Sequence, residues 1–315
     1  MVTICLPFLS PSGGWQPLES MPEGRSGMLA FTTTGGGIAY YGGTAWRGSE
    51  RQVFADGYYL SAEGWKSLDP LANPVAYAPH AQGDCGFLAL GGFDEAGVSR
   101  RTIEAVGNLV RVVFRTPHAR MTAYAPGVYL EGALYAVGGS AGVVHPEPSA
   151  AVLRLLNGAV CRVSEFPGGP VVNAAASAWG REIYVFGGGK SNGFGVLINS
   201  REAWAYDVGK DEWLQMPDLP EAVRGAVAVT VPGYGILLVG GYGDEGGFSS
   251  AVWLFEPVGR TFHRWADLPR GLLLPAVVRS AGWLYVWGGE DAPRSRSDAV
   301  YRISLEGLRG EQKPL

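Results

Sequence analysis

Short apolar runs alternate with polar turns along the whole chain, and six of these runs end in a pair of glycines. Short apolar or alternating runs bounded by turn residues are typical of β-strands. The glycine pairs recur at intervals of 47 to 53 residues, and a fixed period of this size indicates repeated structural units. The runs are IAYYGG, FLALGG, LYAVGG, IYVFGG, ILLVGG and LYVWGG, which end at Gly43, Gly92, Gly139, Gly188, Gly241 and Gly289.

Other features keep the same spacing as the glycine pairs. A proline-bearing turn lies about twenty residues before most pairs, and alternating aromatic segments such as AVWLFEP and AVYRI follow them. Trp15 and Trp213 each stand seven residues before such a proline. The pattern in each unit therefore predicts a sheet of four short strands. One such sheet cannot bury both of its apolar faces alone. Six such sheets packed around an axis would bury those faces and protect the strand edges.

This pattern resembles the Kelch repeat, in which a glycine pair after a hydrophobic run is followed by tyrosine and tryptophan at fixed offsets. The resemblance extends from about Gly14 to Ile303 and implies an all-β fold, a six-bladed Kelch-type β-propeller formed by one domain over residues 1–315. The chain opens on a tryptophan strand, and no such strand follows AVYRISLE. We therefore expect the residues around Trp15 to close the last blade as its outer strand.

Composition narrows the classes of function. The chain has 48 glycines in 315 residues, a net charge of −4 and no clustered lysine and arginine, which argues against nucleic-acid binding. Its three cysteines and four histidines lack metal-ligand spacing, so we expect no metal and no cofactor. No apolar stretch is long enough to span a membrane. The N-terminus lacks the positive region of a secretory signal, so we expect a cytoplasmic protein, or a periplasmic one if a leader has been removed.

Loops on a rigid scaffold carry function, and two sets of loops should share one end of the sheets. These are the loops after the glycine pairs and the segments that lead into the first strands. Arginines converging there would suit a carboxylate ligand through bidentate pairing. Alternatively, each arginine only pairs with a neighbouring acid or carbonyl. The predicted substrate-binding residues are Arg25, Trp46, Arg120, Asn173, Arg224 and Arg294.

One of these loops carries a more specific pattern, GGEDAPRSRSDAV from Gly288 to Val300. It resembles the Gly-Glu…Pro…Arg-Ser/Thr-Asp-Ala-Val stretch of bacterial sialic acid mutarotases (N-acetylneuraminate epimerases). That resemblance implies that Glu290 is the catalytic acid/base and Arg296 its electrostatic or carboxylate-binding partner. Anomer exchange needs one proton carrier near a positive group and no metal. The alternative for the loop is a surface salt bridge.

The sequence leaves open two functions that belong to different classes. The first is a sugar mutarotase, an isomerase that equilibrates the anomers of a small acidic sugar such as N-acetylneuraminate. The second is a non-catalytic Kelch propeller that binds a protein, peptide or sugar on its axial face. A glycosidase would need paired carboxylates. These could come from Asp94, Glu95, Asp244 and Glu245, but their sequences are also ordinary turns.

Overall fold

The structure, a computed structural model, consists of antiparallel β-sheets. The residues that it describes contain no α-helix, and a turn of 3-10 helix spans Glu306–Leu308. No helix in this part of the chain is long and apolar enough to cross a membrane. The described residues are 14–83, 86–95, 97–98, 101–106, 109–115, 122–142, 147–194, 196–244 and 247–308.

The first strand, β1 (Gln16–Pro17), belongs to the last sheet in the chain. The next three sheets follow one another, and within each sheet successive strands run antiparallel. Sheet 1 consists of β2 (Ser26–Thr32), β3 (Ile38–Arg47), β5 (Gly57–Ser61) and β6 (Gly64–Leu68), with β4 (Glu50–Val53) beside β3; sheet 2 of β7 (His80–Gly83), β8 (Gly86–Leu90), β11 (Arg101–Val106) and β12 (Leu109–Arg115); and sheet 3 of β13 (Gly127–Leu130), β14 (Ala133–Val137), β15 (Val152–Leu156) and β16 (Ala159–Arg162).

The second half of the chain repeats this arrangement. In both halves, shorter strands extend from loops between second and third strands, except that β23 lies ahead of the first strand of sheet 5. Sheet 4 consists of β17 (Ala175–Trp179), β18 (Glu182–Phe186), β21 (Ala203–Asp207) and β22 (Glu212–Met216); sheet 5 of β24 (Val227–Val231), β25 (Gly235–Val239), β28 (Ala251–Glu256) and β29 (Thr261–Asp267); and sheet 6 of β30 (Ala276–Ser280), β31 (Trp283–Trp287), β32 (Val300–Ser304) and β1. The short strands are β9 (Phe93–Asp94), β10 (Gly97–Val98), β19 (Gly189–Ser191), β20 (Leu197–Asn199), β23 (Val223–Arg224), β26 (Tyr242–Gly243) and β27 (Gly247–Phe248).

The N-terminal strand β1 pairs with β32, the last strand of sheet 6. Gln16 lies opposite Arg302 and Pro17 opposite Tyr301. The Arg302 guanidinium also donates to the Gln16 side chain at 3.0 Å. The two ends of the described chain therefore share one sheet.

The hydrophobic core lies between neighbouring sheets. Separate clusters of buried apolar side chains join sheets 1 and 2, 2 and 3, 3 and 4, 4 and 5, 5 and 6, and 6 and 1. The first strands of the same neighbours also contact one another. A single four-stranded sheet has two apolar faces, and each face is covered by the next sheet.

The glycine doublets connect adjacent sheets through backbone contacts. Gly42 and Gly43 have φ values of 67° and 88°, which favour glycine. The Gly43 N–H donates to the Val75 carbonyl at 2.8 Å, and a Cβ on Gly42 would lie 2.2 Å from that oxygen. All the doublets lie at the end of the sheets toward which the second strands run and from which the first strands start. We call this end the doublet face. The equivalent 2.8 Å bonds are Gly139 to Val171, Gly188 to Val223, Gly241 to Leu272 and Gly289 to Arg25.

A series of backbone hydrogen bonds connects the sheets at the doublet face. Its six members, one at or just ahead of the start of each first strand, all have positive φ values, and we call them the axial ring. The hydroxyl of Ser26, which precedes the first member Gly27, donates to the carbonyl of the last member, Leu274, at 3.4 Å. The N–H to carbonyl bonds are Tyr77 to Gly27 (2.8 Å), Tyr124 to Tyr77 (3.0 Å), Asn173 to Tyr124 (2.8 Å), Gly225 to Asn173 (2.7 Å) and Leu274 to Gly225 (2.8 Å).

Candidate functional site

The residue after each glycine doublet lies next to the axial ring, because it pairs with the residue that precedes a ring member. Glu290 pairs in this way with Leu273, through N–H to carbonyl bonds of 2.8 and 2.9 Å in both directions. The six residues that follow the doublets are Thr44, Phe93, Ser140, Gly189, Tyr242 and Glu290. Glu290 is the charged residue among them.

The Glu290 carboxylate contacts one cation and one phenol. Arg296 Nη1 lies 3.2 Å from Glu290 Oε2, and the Tyr77 hydroxyl lies 3.4 Å from Oε1. The same hydroxyl is 3.4 Å from Arg296 Nη2 and 3.2 Å from Thr44 Oγ1. These four residues, Glu290, Arg296, Tyr77 and Thr44, come from sheets 6, 2 and 1 and form what we call the axial site.

Burial dominates the electrostatics of Glu290. Its side chain is 19% exposed and that of Arg296 only 5%. Burial raises the pKa of Glu290, while the charges of Arg296 and Arg51 and the Tyr77 hydrogen bond lower it, and the net pKa lies above the usual 4.5. A carboxyl group with a raised pKa beside a phenol can exchange a proton closer to neutral pH than an exposed glutamate.

Arg51, at the edge of sheet 1, extends toward the axial ring. Its Nη1 donates to the Tyr124 hydroxyl at 3.3 Å, and its guanidinium carbon lies 4.6 Å from the centre of the Phe93 ring. Burial, followed by the neighbouring Tyr77, raises the pKa of Tyr124 to about 12, so this phenol stays neutral. Arg51 is thus held by an aromatic face and a neutral hydroxyl.

Arg224, in β23, is held in a similar way. Its Nη1 donates to Asn199 Oδ1 at 2.5 Å, and its guanidinium carbon lies 4.5 Å from the Tyr242 ring centre. Burial lowers the pKa of Arg224, and the charges of Tyr242, Asp244 and Glu290 act in the opposite direction. Among the described residues, neither Arg51 nor Arg224 forms an ion pair with a carboxylate.

Arg25 takes no part in the axial site. Its side chain is 2% exposed and pairs with Asp56 through two contacts, Nη1–Oδ1 at 2.6 Å and Nη2–Oδ2 at 2.9 Å. The guanidinium carbon also lies 3.8 Å from the Phe54 ring centre. Arg25 therefore forms the intramolecular acid pair that the sequence left open as an alternative.

Among the other predicted binding residues, the structure describes Trp46, Asn173 and Arg294. Arg294 lies over the Trp46 ring at 5.4 Å, so these two are brought together. Asn173 belongs to the axial ring, with a φ of 53°. Arg270, which also precedes a first strand, pairs with Asp291 at 2.9 Å. Arg120 lies outside the described residues.

Sequence reasoning assigned no role in the site to several residues around Glu290. Tyr77 leads into its first strand as Asn173 does, so its place at this end of the sheets is visible in the repeat, but its contact with Glu290 is not. Thr44 follows its doublet as Glu290 does, which is also visible in the sequence. Nothing local marks Arg51, because its position depends on the β3–β4 hairpin, where it pairs with Trp46.

Metal binding and paired carboxylates are the two other chemistries that the sequence raised. No group of three or more histidine, cysteine, aspartate or glutamate side chains there could hold a metal ion. Of the carboxylates considered for a glycosidase, Asp244 accepts from Asn199 Nδ2 at 2.7 Å, and Glu245 lies outside the described residues.

Comparisons with known proteins agree with the repeat pattern. The Kelch motif matches residues 170–220, which span sheet 4 and its flanking turns. Beta-scruin of Limulus polyphemus is 29% identical over 113 residues, and alpha-scruin of the same organism is 26% identical over 113 residues. Each match covers 34% of this chain and 12% of the scruin. The chain therefore contains a Kelch motif at sheet 4 and is similar to the scruins over about a third of its length.

Proposed function

We propose that this chain is a non-catalytic binding protein of the Kelch type, which holds a carboxylate group of its partner on the doublet face. The partner is an acidic peptide or an acidic sugar. One observation carries the proposal: Arg51 and Arg224 are fixed by aromatic rings and neutral hydrogen-bond acceptors. Arginines that are oriented in advance and lack an acidic partner suit bidentate recognition of a carboxylate.

The charges near Glu290 favour an anionic ligand. Arg51 lowers the pKa of Glu290, and the charge of Glu290 raises that of Arg224, so both arginines lie within electrostatic reach of the carboxylate. Glu290 is already paired with Arg296. Asp244 also acts on Arg224, so Arg51, Arg224 and Arg296 face two carboxylates, those of Glu290 and Asp244. The balance of these five groups is positive by one charge, in a chain with a net charge of −4.

The proposal includes the architecture expected from the repeats, a closed six-bladed propeller formed by one domain over residues 1–315. Its support is the set of core clusters between successive sheets and the pairing of β1 with β32. In such a fold, a ligand near the axis touches loops from several blades, as Glu290, Tyr77 and Thr44 do.

The test uses N-acetylneuraminate, its methyl ester and an acetylated glutamate-containing tripeptide as NMR probes. We expect line broadening of the two carboxylates by the wild-type protein and less broadening of the ester. Arg51→Met and Arg224→Met should each weaken binding by about tenfold. Arg260→Met, at an exposed position in the β28–β29 turn at the opposite end of the sheets, is the matched control and should bind as wild type does. Equal binding of ester and acid, or no effect of either arginine variant, would contradict the proposal.

The second candidate function is mutarotation of the acidic sugar, and the contacts of Glu290 favour it. Glu290 would remove the proton of the anomeric hydroxyl while the Tyr77 hydroxyl protonates the ring oxygen, so that the bond between the anomeric carbon and the ring oxygen breaks. The reverse transfers close the ring on the other face. Arg296 would stabilise the carboxylate that these steps require.

Freshly dissolved crystalline N-acetylneuraminate distinguishes the two functions, because its anomers equilibrate slowly enough to follow by NMR. A mutarotase would accelerate equilibration, and Glu290→Gln would abolish the acceleration while leaving carboxylate binding measurable. A binding protein would broaden the sugar resonances without changing the rate of equilibration. An unchanged rate with the wild-type protein removes the second candidate.

A further inference from the structure

A chain of hydrogen bonds joins Arg224 to Asp244 through the side chain of Asn199. Arg224 Nη1 donates to Asn199 Oδ1 at 2.5 Å, and Asn199 Nδ2 donates to Asp244 Oδ1 at 2.7 Å. The orientation of the amide follows from its two partners, because a guanidinium group only donates and an ionised carboxylate only accepts. A neutral amide therefore lies between an arginine and an acid.

The strand pairing places Arg224 within reach of Asp244. In the antiparallel pair of β23 and β26, Arg224 lies opposite Tyr242, and Asp244 follows Tyr242 by two residues. Diagonal neighbours of this kind are about 7 to 8 Å apart, a distance that long side chains can bridge. Yet Arg224 and Asp244, both in the described part of the chain, form no ion pair with each other. The Asn199 amide engages both groups instead.

The base of the β19–β20 hairpin holds Asn199 in this position. Asn199 is the last residue of β20, pairs with Gly189 in β19 and is 8% exposed. The next residue, Ser200, donates its N–H to the Gly188 carbonyl at 2.9 Å. A Cβ added to Gly189 would lie 3.3 Å from Arg224 Cδ, so the base of the hairpin packs against the arginine that the amide contacts.

Sheet 1 shows what a direct contact with an acid does to an arginine. Arg25 forms two contacts with Asp56, and its side chain is 2% exposed. Its charge is neutralised inside the molecule. Arg224 instead meets the Asn199 oxygen and the Tyr242 ring, whose centre lies 4.5 Å from the guanidinium carbon. A neutral acceptor and an aromatic face orient a guanidinium group and leave its charge in place.

We propose that Asn199 is a positioning residue, which separates Arg224 from Asp244 and thereby keeps the Arg224 charge available to a ligand carboxylate. This inference rests on the proposed function and identifies the residue that prepares one of its two arginines. Without the amide, Asp244 pairs with Arg224 and competes with the ligand. With a carboxylate in place of the amide, residue 199 itself neutralises Arg224.

The test is an NMR titration of N-acetylneuraminate with five variants. These are Asn199→Ala, Asn199→Asp, each of the two combined with Asp244→Asn, and the control Asn192→Ala. Asn192 lies at the tip of the same hairpin, where its side chain accepts the Phe194 N–H at 2.9 Å. The control should bind as the wild type does. Thermal unfolding of each variant establishes that it is folded at the temperature of the titration.

We expect Asn199→Ala and Asn199→Asp each to bind the sugar about tenfold more weakly, which is the loss of one hydrogen bond to a charged group. Asp244→Asn should restore binding to Asn199→Ala, because it removes the competing charge. It should not restore binding to Asn199→Asp, in which the new carboxylate pairs with Arg224. Wild-type affinity in both single variants would overturn the inference, as would a failure of Asp244→Asn to rescue Asn199→Ala.

A crystal structure of Asn199→Ala separates this inference from the function on which it rests. An Arg224–Asp244 contact within about 4 Å supports the separating role of Asn199 without reference to any ligand. If this contact forms but the wild type binds no carboxylate, the proposed function fails and the separating role stands. If the wild type binds but the variant neither forms the contact nor loses affinity, the inference fails and the proposed function stands.

Discussion

Two ion pairs in this molecule, each with a buried arginine, have opposite electrostatic character. Arg25 and Asp56 form a two-contact pair inside sheet 1, whereas Arg296 and Glu290 share one 3.2 Å contact beside the axial ring. Burial raises the pKa of Asp56, but the Arg25 hydrogen bond and charge outweigh burial, so the net pKa is lowered. Burial wins at Glu290, and its pKa is raised.

The difference indicates which pair maintains the fold and which is available for binding. A carboxylate with a lowered pKa is stabilised in its charged form by the folded protein. Glu290 is less well compensated, because its side chain is more buried than that of Asp56 and shares one contact with its arginine, where Asp56 shares two. Under-compensated charge in a partly open site is typical of functional positions. The first pair is structural, and the second is a candidate site.

The largest expected effect is at the structural pair. Arg25→Met removes the two charge-assisted hydrogen bonds to Asp56, whereas Glu23 keeps its pairing with Arg47. At about 1.5 kcal/mol for each bond to this partly exposed carboxylate, the loss is about 3 kcal/mol. Urea unfolding should show this loss. The matched control is Arg224→Met, whose arginine has no acidic partner among the described residues and should change stability by less than about 1 kcal/mol. If Arg25→Met and Arg224→Met lower the free energy of unfolding by similar amounts, the Arg25 pair is not specifically structural.

The two regions meet at a glycine doublet. Gly289 donates its N–H to the Arg25 carbonyl, and a Cβ on Gly288 would lie 2.6 Å from the same oxygen. Gly288→Ala should therefore displace the loop that carries Glu290 and destabilise the protein by about 2 kcal/mol. The control Gly282→Ala has a φ of 82° and no atom within 4 Å of the new Cβ. It should cost about 1 kcal/mol, and calorimetry can compare the two variants.

A smaller effect is expected at the phenol of the axial site. Tyr77→Phe removes the hydroxyl that contacts Glu290, Thr44 and Arg296, at a cost of about 1 kcal/mol. Because the Tyr77 hydrogen bond lowers the pKa of Glu290, its loss should raise that pKa further. Carbon-13 NMR titration of the Glu290 carboxyl measures the change. Tyr58→Phe, which removes a 3.2 Å contact to Asp56, should leave the pKa of Glu290 unchanged.

The smallest effect is a difference in pH dependence between the two carboxylates. The lowered pKa of Asp56 stabilises the fold above the unfolded value of 3.8, and that stability is lost as the pH falls through the folded pKa. Glu290 has the opposite sign, because its contribution is greatest below 4.5 and declines as the pH rises through its raised pKa.

Urea unfolding between pH 3 and 7 tests this difference. The stability of the wild type relative to Asp56→Asn should increase with pH. Its stability relative to Glu290→Gln should decrease over the same range. Parallel trends in the two comparisons would show that the two pairs do not differ electrostatically.

Much of the axial site was visible in the sequence because it follows the repeats. The doublet before Glu290 located this residue beside the segments that lead into the first strands, and Arg296 followed within the same loop. Arg224 was selected on the same grounds. Tyr77 and Thr44 could also have been selected, since each occupies an equivalent place in its own repeat.

The sequence by itself determined the strand pattern, the repeat and the glycine doublets, because these depend on local periodicity and backbone conformation. Only the tertiary structure decided which arginines are available. The Arg25 carbonyl accepts a doublet N–H, as the carbonyls of Val75, Val171 and Val223 do in their own repeats. Arg224 follows Val223, so it lies one residue further along its repeat than Arg25 does. Successive side chains in an extended segment point to opposite sides, so this one-residue difference buries Arg25 in an ion pair and places Arg224 on the doublet face.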